Sequence, residues 1–463
     1  MFHDDTIAAI STPFGEGGIG IVRLSGRDSI KIVEKIFTSP KNKSLKDLGS
    51  NRVIYGHIKD PLIGEEIDEV LVTVMRSPYT YTREDVVEIN CHGGMVTLRK
   101  TLELVLKEGA RLAEPGEFTK RAFINGRIDL SQAEAVLDLI RSKTDESRRI
   151  AIEQLQGGLS EKITALRDRL KELCAYLEAY IDFPEDDIEI ASKEDMLESM
   201  KEIGTELQKL LKTYDEARFF REGLSTAIVG RPNVGKSSLL NALLRKDRAI
   251  VTELPGTTRD VIEEYLNIDG LPLRIMDTAG IRNVQDIAEK EGVKRSLQSI
   301  ENADLVIAIF DGNEPLRDED LEVMEKIKGK NAIIVMNKCD LPSVFDKDML
   351  ASCVLHHAPR ILQISATKGD GLEELKDRIF ESCLKDWKEG RDGVLVTNLR
   401  HKIAIENALA SLERAMSGFL EDKPLEIIAL ELRDSLDRLG EIVGAVTTED
   451  ILENIFKNFC IGK

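Results

Sequence analysis

The sequence lacks paired cysteines, a long apolar run and an excess of positive charge. Its six cysteines are scattered over 463 residues without any C-x-x-C arrangement, which favours reduced thiols over disulfides or a zinc site. No apolar stretch approaches the roughly 20 residues of a membrane span. The acidic start MFHDDT does not have the charged and then apolar organisation of a targeting leader. We therefore expect a cytoplasmic protein that does not enter a membrane.

The composition also limits the domain count and the partners. A chain of 463 residues is long enough for about three domains, and a hydrophobic content of 42% provides ordinary core material. The formal net charge of −19 argues against a broadly basic surface that coats nucleic acid. An RNA substrate would need either a local basic patch on this chain or the surface of a partner.

A phosphate-binding motif lies near the middle of the chain. The apolar run Ala227 to Val229 leads into GRPNVGKS, from Gly230 to Ser237, and an apolar-periodic helix follows. In this G-x-x-x-x-G-K-S pattern, backbone N–H groups surround phosphate oxygens. We expect Lys236 to contact the outer phosphates and Ser237 to bind Mg²⁺; a glycine-rich turn without a ligand is the alternative. The predicted nucleotide contacts are Asn233, Val234, Gly235, Lys236, Ser237 and Ser238.

A second motif indicates which base is bound. The sequence NKCD, from Asn337 to Asp340, follows an apolar run about a hundred residues after the phosphate loop. A carboxylate at Asp340 can accept two hydrogen bonds from the adjacent N–H donors of guanine, which adenine does not offer. We expect Asn337 to support this pocket and the stem of Lys338 to cover a ring face. Backbone N–H groups of Ser365, Ala366 and Thr367 would meet the guanine carbonyl oxygen.

Two loops between these motifs would sense the third phosphate of GTP. Asp277 would act on Mg²⁺ through water, the Gly280 N–H would contact the γ-phosphate, and Thr258 would bind Mg²⁺. Ile281 stands where many small GTPases carry a water-positioning glutamine. Hydrolysis is therefore either very slow or supported by other groups. The predicted contacts in these loops are Pro255, Gly256, Thr257, Thr258, Asp277, Thr278, Ala279 and Gly280.

The whole chain resembles the MnmE/TrmE family of tRNA modification GTPases. The resemblance implies that a potassium ion takes the position of an arginine finger, bound by Asn233 and by the loop from Thr252 to Thr257. The implied potassium ligands are Asn233, Thr252, Leu254 and Thr257, with Glu253, Pro255 and Gly256 also contributing to GTP binding. The resemblance further implies that Glu289 is the catalytic residue that orients the attacking water. By spacing alone, the neighbouring Glu291 is a rival candidate.

Residues 1–118 are predicted to form an α+β domain. Its strand-like runs are Thr6 to Ile10, Ile19 to Leu24, Arg52 to Ile58, Glu69 to Met75 and Asp85 to Asn90, with a helix from Val96 to Lys107. The resemblance implies that this domain dimerises and binds a tetrahydrofolate derivative, either 5-formyl or 5,10-methylene. The implied folate contacts are Arg23, Glu88, Arg127 and Lys463. Many relatives carry lysine at the position of Arg127.

Long helical patterns surround the GTPase module. The sequence predicts a helical domain made from residues 119–216 and 381–463, with a Ras-like P-loop GTPase domain, residues 217–380, inserted into it. Ser131 and Glu134 are spaced for a capping box at a helix start. The acidic loop from Glu185 to Asp187 is interpreted as a solvated connection rather than a metal site. Further helices are predicted at Leu159 to Tyr180, Ser192 to Arg221, Val396 to Gly418, Leu425 to Leu439 and Glu449 to Asn458.

The C-terminal tail, FCIGK, has three interpretations. Cys460 is fourth from the end, as in a prenylation box, but Gly462 is not aliphatic and Lys463 is a poor final residue. An ordinary buried thiol is the second interpretation. The resemblance implies a third, in which the tail points at the folate site, Cys460 is a catalytic thiol and Lys463 contacts the ligand. No nearby histidine indicates how the thiol would be activated.

These observations predict a potassium-activated GTPase that modifies C5 of the wobble uridine of certain tRNAs. The uridine chemistry, the folate one-carbon unit and a flavin-dependent MnmG/GidA-type partner come from the resemblance, as do the homodimer and a heterotetramer or larger assembly. Guanine-nucleotide binding comes from the motifs themselves. A ribosome-assembly GTPase shares every guanine-pocket motif, although this chain has no basic RNA-binding appendage. A nucleotide-gated scaffold with little turnover is the other alternative, because Ile281 is apolar.

Overall fold

The computed structural model describes residues 5–13, 15–182, 192–247, 264–276, 299–344, 361–384 and 393–463. The chain forms two compact units. One contains residues 5–137 and 439–463, and the other contains the described residues from 138 to 438. Within the described ranges, no helix is both long enough and apolar enough to cross a membrane.

The first unit contains a seven-stranded sheet. Its strands are β1 (Ile7–Ile10), β2 (Gly17–Ser25), β3 (Phe37–Thr38), β4 (Arg52–Lys59), β5 (Glu66–Met75), β6 (Val86–Gly93) and β7 (Arg111–Leu112), in the order β3-β4-β5-β6-β2-β1-β7. β1 pairs with β7 in parallel, and the other pairs are antiparallel. Helices α1 (Ser29–Ile36) and α2 (Met95–Lys107) share one apolar core with these strands.

Each predicted strand-like run of this unit contains a strand, and the predicted helix is α2. Helix α1 and helix α3 (Glu117–Ile124) were not predicted from the sequence. The predicted capping box of Ser131 and Glu134 is wrong, because α4 (Leu130–Arg141) already includes both residues. Asp129 and Gln132 take that role. The Asp129 carboxylate accepts from the Gln132 N–H at 3.0 Å, and the Gln132 side chain accepts from the Asp129 N–H at 2.9 Å.

Long helices make up much of the second unit. They are α5 (Asp145–Leu155), α6 (Gly158–Asp182) and α7 (Lys193–Glu222). Ser192 caps α7 as a residue just before the helix, since its hydroxyl accepts from the Asp195 N–H at 3.1 Å and Asp195 reciprocates. The predicted helix starting at Ser192 is therefore confirmed, and its cap shows why it begins there.

The second unit also contains a six-stranded sheet. Its elements are β8 (Leu224–Val229), α8 (Lys236–Asp247), β9 (Glu264–Ile268), β10 (Leu271–Ile275), β11 (Leu305–Asp311), α9 (Asp318–Lys326), β12 (Ala332–Asn337), β13 (Leu362–Gln363) and α10 (Leu372–Cys383), with strand order β13-β12-β11-β8-β10-β9. Only the β9–β10 pair is antiparallel. The carboxyl ends of β8 and β12 therefore lie at the same edge of the sheet, where ligands of parallel sheets bind.

Three helices complete the chain: α11 (Leu399–Leu420), α12 (Leu425–Val443) and α13 (Glu449–Phe456). Helix α11 packs along α7, where the small residue Gly204 lies close to Leu409 and Leu412. In the first unit, Phe456 and Phe459 pack against Leu130, Ala133 and Leu137 of α4. This packing brings the C-terminal tail onto the N-terminal part of the chain.

Candidate functional site

The phosphate loop connects β8 to α8 through a backbone that requires small residues. A Cβ at Gly230 would lie 2.3 Å from the Ile309 carbonyl oxygen, and a Cβ at Gly235 would lie 2.1 Å from Nδ2 of Asn337. Both glycines also have positive φ, 153° and 105°. A side chain at either position would therefore collide with its neighbour, and the backbone there has a conformation that residues other than glycine disfavour. The loop then enters α8, whose N-terminal N–H groups favour a bound anion.

Lys236 lies at the start of α8 and folds back over the loop. Its ammonium donates to the carbonyl oxygens of Gly230 at 2.7 Å and Arg231 at 2.8 Å. Burial lowers the pKa of Lys236 to about 8, because desolvation disfavours the charged form. Among the residues that the structure describes, no carboxylate contributes to this shift, so the ammonium is suited to gain an anionic partner such as a phosphate.

Asn337 joins the phosphate loop to the base-binding loop. Its side-chain amide donates to the Val234 carbonyl oxygen at 2.8 Å and accepts from the Ala366 N–H at 3.0 Å. The residue is 2% exposed, so both bonds are shielded from water. Three predicted site residues from three separate segments are thus held together by one amide group.

Asp340 and Lys338 are the two charged residues of the predicted guanine-binding loop. A hydrogen bond from the Ser365 side chain lowers the pKa of Asp340, and the charge of Lys368 contributes. Asp340 is therefore ready to accept from N–H donors as a carboxylate. Lys338 has a left-handed backbone, φ 66°, and its ammonium contacts the buried Asp311 carboxylate at 2.5 Å. This contact restrains the Lys338 side chain.

Two predicted metal ligands lie in the described part of the phosphate loop. Ser237, in the first turn of α8, offers a hydroxyl oxygen, which is a ligand type that suits Mg²⁺. Asn233 offers an amide oxygen for a monovalent cation and has a left-handed backbone with φ 65°. Several predicted positions lie outside the described residues: Thr252, Glu253, Leu254, Pro255, Gly256, Thr257, Thr258, Asp277, Thr278, Ala279, Gly280, Ile281, Glu289 and Glu291, and also the acidic loop from Glu185 to Asp187.

One buried ion pair near the nucleotide loop was not predicted. Arg231, at 5% exposed, donates from Nε to Oδ2 of Asp320 at 3.1 Å, and its NH2 lies 2.9 Å from Glu314. Asp320 is the third residue of α9, and its carboxylate also accepts from the Arg317 N–H at 3.0 Å. The pair ties the phosphate loop to α9. The motif pattern gives no signal for it, because position 231 is a variable residue of the motif.

Within the first unit, Arg23 and Glu88 are directly opposite each other on β2 and β6. Nε of Arg23 donates to Oε1 of Glu88 at 2.8 Å, and NH2 lies 2.8 Å from the same oxygen. NH1 of Arg23 donates to the Gly462 carbonyl oxygen at 3.4 Å. The structure thus brings two predicted folate contacts together with the C-terminal tail.

The tail is held in place by its backbone. Ile461 forms a bridge with Pro115, and a Cβ at Gly462 would lie 2.4 Å from the Ile10 carbonyl oxygen. Burial lowers the pKa of Lys463, and the positive charge of Arg23 lowers it further. Cys460 is exposed, so the interpretation of an ordinary buried thiol is wrong. A buried position is instead taken by Phe459, which packs against α4.

Arg127 is placed by an aromatic ring. Its guanidinium lies 4.6 Å from the centroid of Tyr81, whose hydroxyl is 2.9 Å from the Thr119 hydroxyl on α3. The neighbouring Phe118 ring lies under Arg23, at 5.8 Å. Helix α3 therefore contacts the environments of both arginines, and Arg127 keeps a positive charge that a carboxylate could bind.

Comparison with known proteins identifies the family of the chain. A family model described as the MnmE helical domain matches residues 130–460, and one described as the GTP-binding protein TrmE N-terminus matches residues 6–127. The tRNA modification GTPase MnmE of Alkaliphilus oremlandii is 50% identical over 463 residues, covering 100% of both chains. The protein of that name from Clostridioides difficile is 48% identical over 463 residues, again with 100% of both chains covered.

These matches confirm the predicted fold class, with an N-terminal α+β domain, a helical domain and a P-loop GTPase domain. The paired phosphate and guanine motifs, joined through Asn337, are those of a GTP hydrolase that uses Mg²⁺. The chain belongs to the MnmE family of tRNA modification GTPases.

Proposed function

We propose that this chain is a potassium-activated GTPase that adds an aminomethyl or carboxymethylaminomethyl group to C5 of the wobble uridine of certain tRNAs. A flavin-dependent MnmG/GidA-type partner and a folate one-carbon unit would complete the reaction. The observation that carries the proposal is the cluster of Arg23, Glu88 and the C-terminal tail. The same chain joins its N-K-x-D loop to its phosphate loop through Asn337. Family membership supports the tRNA substrate.

In the GTPase domain, the residues of the chain position the nucleotide and stabilise charge. Lys236 would exchange its two loop carbonyl partners for phosphate oxygens, while Asp340 would accept from the guanine N–H groups. Ser237 would hold Mg²⁺, which neutralises charge on the phosphates when bound. Asn337 keeps both ends of the nucleotide site at a constant separation, since it bonds to both loops.

We propose that Asn233 holds potassium beside the phosphates, together with Thr252, Leu254 and Thr257, and that Glu289 orients the attacking water. A monovalent cation at this position would supply the positive charge that an arginine finger provides elsewhere. The amide oxygen of Asn233 suits such an ion, and the left-handed backbone of this residue is a conformation that asparagine tolerates better than most residues.

In the first unit, we propose that Glu88 accepts hydrogen bonds from the amino-pyrimidine edge of the folate, which would be the 5-formyl or 5,10-methylene form. Arg127 and Lys463 would bind carboxylate groups, and Arg23 would orient Glu88 through their two contacts at 2.8 Å. The lowered pKa of Lys463 would rise on binding a carboxylate. Cys460 is exposed beside this cluster and is the proposed catalytic thiol.

The proposed assembly is a homodimer through the N-terminal domain that joins the flavin-dependent partner in a heterotetramer or larger complex in the cytoplasm. The decisive experiment is mass analysis of wobble nucleosides from cells without this protein, complemented by the wild type or by Arg23→Ala. We expect the C5-modified uridines to vanish in the deletion, to return with the wild type and to stay absent with Arg23→Ala. Unchanged nucleosides in the deletion would exclude the proposal.

A further inference from the structure

A strongly basic loop connects β3 to β4 at one edge of the sheet in the first unit. Residues 39–52, SPKNKSLKDLGSNR, contain four cations and one carboxylate, Asp47. Lys41, Lys43, Lys46 and Arg52 thus give the segment a net charge of +3 in a chain whose net charge is −19. This local excess of positive charge contrasts with the negative net charge of the chain. An ordinary surface loop carries charges of both signs in similar numbers.

The cations of this basic loop are exposed to solvent. Lys41, Lys43, Lys46 and Arg52 are all exposed. Across the ranges that the structure describes, none of the four side chains forms an ion pair. The carboxylate of α1, on Glu34, accepts from the Leu45 backbone N–H at 2.7 Å. The positive charges are therefore available to an anionic partner.

The loop also has a fixed conformation. Leu45 is fully buried within a short 3-10 helix, Leu45–Asp47, and the Ser44 hydroxyl caps that helix by accepting from the Lys46 N–H at 3.1 Å. Asn42 and Asn51, with φ of 49° and 58°, form turns at either end. A preordered loop loses less conformational entropy on binding than a flexible one.

Arg76 adds a fifth cation and fastens the loop to the sheet. From the end of β5, its Nε donates to the Leu48 carbonyl oxygen at 3.1 Å and its NH2 donates to the Lys46 carbonyl oxygen at 2.7 Å. Its backbone N–H donates to the Ser50 hydroxyl at 2.9 Å. Because the acceptors of the guanidinium are neutral carbonyls, the contacts hold the loop without cancelling the charge.

We propose that this basic loop, residues 39–52 together with Arg76, is the surface through which the chain contacts the phosphate backbone of its tRNA. The inference deepens the proposed function, on which it rests. Clustered, exposed lysines without an apolar contact area suit a phosphate backbone, whose binding is largely electrostatic. An anionic membrane fits less well, because residues 39–52 expose no large apolar side chain that could insert between lipids.

The test measures the affinity of the full-length chain for unmodified substrate tRNA. Fluorescence anisotropy gives this affinity at each of several salt concentrations. We expect Lys41→Glu/Lys43→Glu/Lys46→Glu to weaken binding by on the order of tenfold or more. Losing three phosphate contacts should also reduce the slope of log K against log salt by about 2 to 3. The triple arginine variant at the same positions should keep wild-type affinity, and tRNA-independent GTP hydrolysis should be unchanged in both.

A matched control reverses three exposed lysines on α7, Lys201, Lys209 and Lys212. That helix carries more acidic than basic residues, so the same change in total charge should alter tRNA affinity by less than about twofold. Equal losses in control and loop variants would overturn the proposal, because the effect would be one of net charge alone.

The proposal is also overturned if the loop variant binds tRNA with wild-type affinity and salt slope, or if the wild type binds phosphatidylserine vesicles but no tRNA. These failures are distinguishable from failure of the proposed function. That function is judged by the wobble nucleosides in cells, which could carry the modification even if only the partner touched the RNA.

Discussion

The side chain of Asn337 donates to the Val234 carbonyl oxygen at 2.8 Å, so the guanine-binding and phosphate-binding loops are joined by one buried amide. Its oxygen accepts from the Ala366 N–H at 3.0 Å. The backbone at Gly235 passes so close that a Cβ there would be 2.1 Å from Nδ2 of Asn337. The relative position of base and phosphates is therefore set by a contact between residues about a hundred positions apart.

Replacing Asn337 by alanine should weaken GDP binding by about 5- to 150-fold. The change leaves a buried carbonyl and a buried N–H without partners, at a cost of about 1–3 kcal/mol. The dissociation constant of fluorescently labelled GDP measures the effect. Asn331→Ala, at an exposed asparagine of the same domain, is the control and should bind as the wild type does. Equal affinity in both variants would exclude the bridging role of Asn337.

Nucleotide affinity should fall as the pH rises above about 8. The pKa of Lys236 without ligand is lowered to about 8 by burial, whereas bound phosphate raises it, so binding above this pH takes up a proton. The affinity should then decrease by up to about tenfold per pH unit until the pKa of the bound state is reached. Calorimetry in buffers of different ionisation enthalpy measures the proton uptake. A nucleotide affinity that stays constant between pH 7 and pH 9.5 would contradict the assignment of Lys236 as a phosphate contact.

Removing Arg231 alone should destabilise the protein more than removing its whole ion pair. Arg231→Ala leaves the buried Asp320 carboxylate without its guanidinium partner, which costs about 3–5 kcal/mol. The double variant Arg231→Met/Asp320→Leu fills the same space without a charge and should recover much of that loss. Urea unfolding compares the three proteins. A double variant that is as unstable as Arg231→Ala, or less stable, would show that the pair does not act as a unit.

Potassium activation should depend on the amide of Asn233. Asn233→Ala and Asn233→Gly both remove the proposed ligand oxygen, but glycine accepts the left-handed backbone, φ 65°, without strain. We expect both variants to bind GTP and to hydrolyse it at the same rate in potassium and in sodium. If the glycine variant still hydrolyses GTP faster in potassium than in sodium, the ion is bound elsewhere. If in addition the alanine variant has lost this difference, backbone strain explains the loss in alanine.

Folate affinity should depend on the C-terminal lysine. Lys463→Ala should weaken binding of 5-formyltetrahydrofolate by about tenfold, the value of one charge-assisted hydrogen bond. Equilibrium dialysis with the full-length chain measures this, and GDP affinity serves as the internal control because it should not change. The exposed Lys457 offers a matched substitution near the same terminus. Folate binding that is equal in the wild type and in Lys463→Ala would remove Lys463 from the site.

The sequence by itself determined the features that depend on neighbouring residues. The phosphate loop between β8 and α8, the N-K-x-D after β12 and the alternating strands of the first unit are all encoded within short segments. Local hydrogen bonding and side-chain periodicity suffice for such features. The cap of α4 was predicted at Ser131, whereas the structure places it at Asp129, whose carboxylate accepts from the Gln132 N–H.

Only the tertiary structure decided which distant residues meet. The order of strands brings Asn337 to Val234, the packing of α9 brings Asp320 to Arg231, and the docking of the tail brings Gly462 to Arg23. None of these contacts follows from spacing along the chain. Each depends on how strands and helices are arranged in space, because the energy of a contact depends on the distance between atoms and not on their separation in sequence.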